Sequence, residues 1–310
     1  MDIFVSHELS SPQLARMRRI AGADAVHFCG EFEQNTPVHE TLARCEVVFG
    51  NLPPDWLPQT RSLRWMQLIS VGFGEYEHLD WHRLGKQLTV TNLAGFFAEP
   101  VAQSALAGIL ALYRGIDALV RSQRAKQWHK DHVREKLRML DGANVIMLGY
   151  GSINRRLAEM LAPFRCRVTP FASNAKIEQL DAALPVAEVV ICAAPERPNT
   201  RGLFDGARLD RCMGGAVFVN LGRGSIVDED ALVQRLESGR LGGAVLDVTT
   251  EEPLPTDHAL WSCPNVVLTQ HTGGGSTDEV DRKIELFADN LSCYRAGEPL
   301  HGVVDFERGY

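Results

Sequence analysis

Short apolar strings alternate with helix-patterned stretches through the first ninety residues of this 310-residue chain. Val, Ile, Phe and Leu cluster at Asp2–Ser6, Ala25–Phe28, Glu46–Gly50, Arg64–Ile69 and Leu88–Thr91, and each string predicts a strand. Between the first two lies Ser11–Ile20, where Ser10 or Ser11 can cap a helix and Pro12 sits in its first turn. His39–Arg44 reads as a second, shorter helix. Strands that are apolar on both sides and alternate with helices predict a parallel, doubly wound sheet.

A longer helix follows at Glu99–Arg114, apolar at 101, 105, 106, 109, 110 and 112, a stripe wide enough for burial on most sides. Arg121–Arg138 is polar and basic around Trp128, with Asp131 and Glu135 interleaved, and predicts a solvated connector. From Asn144 six β-strings recur: NVIMLG, CRVTPF, AEVVICAA, AVFVNLG, GGAVLDV and NVVLTQH. Helical patterns, Arg155–Leu161 and Asp230–Ser238 among them, separate several of these strings, and Asp278–Gly297 is helical again. Six parallel strands with crossover helices make a Rossmann sheet.

Composition narrows the function classes. The 32 Lys and Arg against 39 Asp and Glu give a net charge of −7, which argues against a nucleic-acid partner. The longest apolar stretch, Val101–Tyr113, is interrupted by Gln103 and Ser104 and falls short of the ~20 residues a membrane span needs. The start, MDIFVSHELS, lacks the basic and apolar regions of a signal peptide and reads as a first strand. Seven cysteines (29, 45, 166, 192, 212, 263 and 293) stand singly with no CxxC pair, as in a reducing, cytoplasmic setting. His78/His82 and His129/His132 lack further ligands at metal-site intervals, so no metal is expected.

Candidate chemistry begins at Gly149-Tyr150-Gly151-Ser152-Ile153-Asn154, which follows a buried strand and opens a helix. Gly149 permits the tight turn and Gly151 lets a pyrophosphate approach the backbone, while the amides at Ser152 and Ile153 and the helix dipole favour an anion. After the next strand the usual ribose-binding acid is absent: the string is Ala172, Ser173, Asn174. Without a carboxylate to repel a 2′-phosphate, either NADP(H) or NAD(H) is expected to bind, with NADP(H) ahead.

The last three strings each end in a polar or charged group: Arg223 between two glycines, Asp247 with Glu252, and His271. The carboxyl ends of parallel strands face one crevice, so these side chains can converge on the cofactor. A guanidinium binds a carboxylate and polarises the neighbouring carbonyl. An imidazole can protonate the developing alkoxide, and a carboxylate partner favours its charged form. That set suits reduction of a 2-oxoacid.

These strings resemble the D-isomer-specific 2-hydroxyacid dehydrogenases, from about residue 45 to residue 295, in the family's order and spacing. The matching strings are SVGFG (Ser70–Gly74), GYGSIN, PNTRGL (Pro198–Leu203), NLGRGSIVDEDAL (Asn220–Leu232), LDVTTEEPLP (Leu246–Pro255) and LWSCPNVVLTQH (Leu260–His271), followed by GGG. The resemblance implies a homodimer, with a Rossmann cofactor domain at 94–276 inserted in a smaller flavodoxin-like α/β substrate domain made of 1–93 and 277–310. It implies that Arg223 binds the substrate, that His271 is the acid/base and that Glu252 is its partner. The amides at Val71 and Gly72 would hold the same carboxylate in an interdomain cleft, Asp247 would orient the nicotinamide, and Thr200 and Gly222 would lie along the cofactor.

Departures sharpen this picture. Asn154 replaces the third glycine, so the helix must accommodate a side chain there, and Gln103 stands where the family often has an acid. Glu252, rather than glutamine, argues against the formate dehydrogenase branch. Glu75 and Glu77 near the substrate turn disfavour a phosphorylated substrate, leaving a small 2-oxoacid such as glyoxylate, hydroxypyruvate or pyruvate, with Phe73, Phe96 and Phe97 as candidates for setting pocket size. A dinucleotide-sensing, corepressor-like interaction protein of the same fold is the alternative. A Rossmann methyltransferase is disfavoured, since that reaction needs no Arg/Glu/His set.

Overall fold

A computed structural model of the chain describes residues 1–29 and 38–306. The first elements are β1 (Asp2–Val5), α1 (Ser11–Ala21), β2 (Ala25–Phe28), α2 (Val38–Arg44), β3 (Val47–Phe49), β4 (Trp65–Gln67), α3 (Trp81–Leu84) and β5 (Thr89–Thr91). Next come α4 (Ala98–Tyr113), α5 (Ile116–Arg124), α6 (Lys130–Arg134), β6 (Asn144–Leu148), α7 (Ser152–Leu161), β7 (Arg167–Phe171), α8 (Ile177–Ala183) and β8 (Val189–Cys192). The chain continues through α9 (Gly206–Arg211), β9 (Ala216–Asn220), α10 (Glu229–Glu237), β10 (Leu241–Leu246), β11 (Val266–Leu268) and α11 (Glu279–Ala296). It divides into two compact units, Met1–Phe96 with Ser276–Tyr310, and Phe97–Gly275.

The first unit is a five-stranded parallel sheet in the order β2-β1-β3-β4-β5, a flavodoxin-like winding. Both faces are buried. Phe4, Val48, Met66 and Val90 pack on one side, and Ile3, Val5, Val47, Phe49 and Trp65 on the other. That period-2 split is what strand geometry requires of a two-faced core. The second face is covered by α11, whose Ile284, Phe287 and Leu291 are fully buried, with Phe287 stacked on Trp65 at 5.2 Å. Asn290 on α11 also donates to Gln67 Oε1 at 2.8 Å. The last helix therefore completes the sheet made by the first strands.

The second unit is a six-stranded parallel sheet in the order β11-β10-β9-β8-β6-β7. The winding reverses between β6 and β8, which opens a crevice at their carboxyl ends. One face packs on α4 and α7 through residues such as Ala105, Ile109, Leu157 and Leu161. The other packs on α9 and α10 through Leu209, Leu232 and Leu236.

Several elements differ from the sequence pattern. The string Arg64–Ile69 contributes only Trp65–Gln67 to a ladder, because its partners β3 and β5 are themselves three residues long. The expected solvated connector at Arg121–Arg138 is exposed over most of its length, but it takes in the last turn of α5 and the whole of α6. Ile116, Leu119 and Val120 give α5 an apolar side, the Arg121–Asp117 pair at 2.9 Å ties one of its turns, and Val133 of α6 is buried. Among the described residues no helix is long and apolar enough to cross a membrane, and no group of three His, Cys, Asp or Glu could hold a metal ion.

Candidate active site

The crevice of the second unit begins at Gly149, immediately after β6. Its φ of +76° is unfavourable for other residues, and a Cβ there would sit 2.5 Å from the Ala194 amide nitrogen. Gly151 precedes α7 without any side-chain cap, and a Cβ on it would enter open space. The first-turn amides of Ser152 and Ile153 thus stand at an uncapped helix start with room beside them. A dinucleotide pyrophosphate fits that cradle.

Asn154 is fully buried and braces the turn from the helix side, its Nδ2 donating to Leu148 O at 2.9 Å and Gly149 O at 3.1 Å. Its buried Oδ1 has no hydrogen-bond partner among the described residues. The sequence shows an intruding side chain here, but its back-bonding emerges only once helix and strand are folded together. Ala172, Ser173 and Asn174 are exposed just past β7, with no acid among them. Thr200 spends its hydroxyl inside its own loop, 2.8 Å from Pro195 O and accepting from the Arg197 amide at 2.8 Å. Gly222 presses against the Ala194 carbonyl, leaving no space for a Cβ.

Arg223 follows β9 and is exposed, with Nη1 donating to its neighbour's carbonyl, Gly222 O, at 2.7 Å. Gly224 lies directly against the Thr249–Thr250 peptide, so the Arg223 loop and the loop after β10 are packed backbone to backbone. Asp247, just past β10, is only 6% exposed. Its Oδ1 accepts from the Thr269 hydroxyl at 2.5 Å and the Gly273 amide at 3.0 Å, and its carbonyl accepts the His271 amide at 2.6 Å. Asp247 is therefore the anchor of the loop that carries His271. That loop needs one, because Gln270 and His271 are both left-handed, at φ +52° and +56°.

His271 Nδ1 lies 2.7 Å from Glu252 Oε2, while Glu252 Oε1 accepts from the Thr249 amide at 3.0 Å. The Glu252–Pro253 peptide is cis. Partial burial raises the Glu252 pKa, but the His271 hydrogen bond, the Thr249 amide and the His271 and Arg223 charges outweigh it, leaving a net lowering. A carboxylate held below its ordinary pKa stabilises the fold above that ordinary value, and the contribution disappears as pH falls through the lowered one. Glu252→Gln should accordingly melt below the parent at neutral pH, with the gap closing on acidification. A gap that widens at low pH contradicts this assignment.

Arg223, Glu252 and His271 thus share one unit, and Arg223 is close enough to act on Glu252. Val71 and Gly72 lie in the other unit, after β4, in a turn braced through its carbonyls by Asn92 Nδ2 at 3.0 Å and Ser70 Oγ at 3.1 Å. Phe73 is 1% exposed and packs on Tyr76, Trp81 and Phe306, which makes it core rather than a pocket wall. Phe96 carries Arg282 over its ring at 4.6 Å. Phe97 packs against Gly274, three residues beyond His271. Gln103 donates to Glu99 at 2.7 Å within α4.

A dinucleotide cradle at the switch point and an Arg, Glu and His at the ends of the following strands define a nicotinamide-dependent oxidoreductase. The chain belongs to the D-isomer specific 2-hydroxyacid dehydrogenase family, whose NAD binding domain matches residues 106–273. It is 31% identical to a glyoxylate reductase of Thermofilum pendens, over 79% of this chain and 76% of that protein. It is 29% identical to a chloroplastic/mitochondrial formate dehydrogenase of Arabidopsis thaliana, over 74% of this chain and 63% of that one. A D-isomer specific 2-hydroxyacid dehydrogenase of Xanthobacter autotrophicus, solved with NADPH and MES, superposes with a TM-score of 0.78 at 25% identity, covering 100% of this chain and 99% of that one.

Proposed function

We propose that the enzyme reduces a small, unphosphorylated 2-oxoacid of the glyoxylate or hydroxypyruvate kind to the D-2-hydroxyacid, taking NADPH in preference to NADH. The observation that carries the chemistry is the 2.7 Å pairing of His271 with Glu252. Because Nδ1 is held by the carboxylate, Nε2 is the nitrogen that can give a proton to the substrate oxygen. Glu252 keeps the ring oriented. Arg223 binds the substrate carboxylate and polarises the carbonyl. The Gly149–Ile153 turn would hold the dinucleotide, which when bound would supply the hydride that goes to C2. Roles for Asp247, Thr200 and Gly222 beside the cofactor, and for the Val71 and Gly72 amides on the carboxylate, are proposed from the sequence resemblance alone. Glu252 in place of glutamine separates this site from formate oxidation, and the exposed, acid-free Ala172–Asn174 string supports NADPH.

A cytoplasmic homodimer is the assembly we propose. Its support is an apolar surface at Ile116, Leu119, Val120, Trp128 and Met139, with Trp128 90% exposed, together with seven unpaired cysteines. The test of function is a panel of 2-oxoacids followed at 340 nm with each coenzyme. Turnover of glyoxylate or hydroxypyruvate with a higher kcat/KM for NADPH is expected. A strong NADH bias overturns the coenzyme preference. Negligible turnover of every 2-oxoacid, with NADH-dependent binding to another protein, would favour the corepressor-like reading instead.

A further inference from the structure

The loop after β10 is held from two sides by two different carboxylates. Glu252 Oε1 accepts the Thr249 amide at 3.0 Å, and Glu229 Oε1 accepts the next amide, Thr250, at 2.6 Å. Glu229 is the first residue of α10, behind the N-cap Asp228, whose side chain accepts the Ala231 amide at 2.9 Å. A helix-capping role is thus already filled, and the Glu229 side chain turns instead to the neighbouring loop. Its side chain is 10% exposed, and His258 Nε2 lies 3.9 Å from its other oxygen. His258 is itself fixed, its Nδ1 accepting the Leu260 amide at 3.2 Å.

We infer that Glu229 is a positioning residue for the reaction: by pinning the Thr250 amide it fixes the Thr249–Glu252 turn, and so the carboxylate that orients His271. The inference rests on the reading of His271 as the acid. Three features support it. The Thr249–Thr250 peptide has no slack on its other side, where Gly224 abuts it without room for a Cβ. Thr249 Oγ1 also donates to Glu251 O at 2.8 Å, so the turn is a closed network in which losing one anchor shifts the rest. Burial raises the Glu229 pKa, opposed by the Thr250 amide and hydroxyl and by His258, while Asp230 adds to the rise. A buried acceptor of this kind is retained at a loss in solvation, which a purely structural helix start does not need.

The test compares two substitutions of similar length. Glu229→Gln keeps an oxygen that can accept the Thr250 amide, whereas Glu229→Met does not, and Glu229→Ala replaces the latter if it does not fold. In reductive assays with NADPH and glyoxylate, Glu229→Met is expected to lose about 10-fold in kcat, the scale of a slightly misplaced catalytic group, with KM for NADPH within about twofold of the parent. Glu229→Gln should recover kcat to within about twofold. Parental kcat in Glu229→Met, a loss that appears in the KM for NADPH instead of kcat, or equal losses in both variants overturns the inference. His271→Ala is run alongside: its inactivity shows that the underlying reading holds even if Glu229 proves indifferent, and its full activity removes the reading itself.

Discussion

Replacing His271 with alanine is expected to lower kcat by about 10²–10⁴-fold, the usual span for loss of a general acid. The reason is local. On the proposed reading, the alkoxide forming at C2 is strongly basic and takes its proton from Nε2 of an imidazole whose Nδ1 is tied to Glu252 at 2.7 Å. Water can replace that proton source but not its placement. Binding of NADPH should change little, because the dinucleotide cradle lies at Gly149–Ile153 and contains no part of the His271 loop. Glutamine at 271 should resemble alanine in rate, since it cannot transfer a proton at neutral pH. Steady-state kinetics with fluorescence titration of NADPH separate the two effects. Near-parental turnover of either variant removes His271 from the role.

Arg223→Ala should lower kcat/KM for the 2-oxoacid by about 10²–10³-fold, comparable to removing a donor aimed at developing charge. The chain carries a net charge of −7, so an anionic substrate must be drawn in by a local cation. Among the described residues no carboxylate forms an ion pair with Arg223, and the one hydrogen bond its guanidinium makes is to Gly222 O at 2.7 Å. The guanidinium is therefore available to a carboxylate substrate. Lysine should recover only a small part of the loss, because an ammonium has the charge without the planar fork. Exchange between 2-oxoacids and their decarboxylated analogues gives the check: the parent should discriminate strongly between them, and Arg223→Ala weakly. Equal discrimination in both proteins would argue that another group binds the carboxylate.

Much of this site was legible in the sequence because the relevant signals are local. Gly149 and Gly151 fall between a buried apolar string and a helical pattern, and only a tight turn at a helix start satisfies both neighbours. Arg223, Glu252 and His271 each end an apolar string, and parallel winding sends those ends to one edge. Other features were hidden. Asp247 reads as a candidate cofactor ligand, yet it holds Thr269, Gly273 and the His271 amide, partners up to twenty-six residues away. Phe73 sits in a string that suggested a substrate pocket, but the aromatic cluster around it is assembled from Tyr76, Trp81 and Phe306. Polar interleaving marked Arg121–Arg138 as a solvated connector, and most of it is exposed, but that pattern did not show the short α6 within it, which the buried Val133 anchors.

The two parallel sheets, the dinucleotide turn and the three chemical groups can be read along the chain, because strand period, glycine turns and residue type act over a few positions. Tertiary structure decided which groups orient which. The left-handed backbone of Gln270 and His271, anchored through Asp247, and the grip of Glu229 on Thr250 depend on hydrogen bonds between segments more than twenty residues apart in the chain. Such bonds form only when packing has removed water and fixed both partners, so no local pattern announces them.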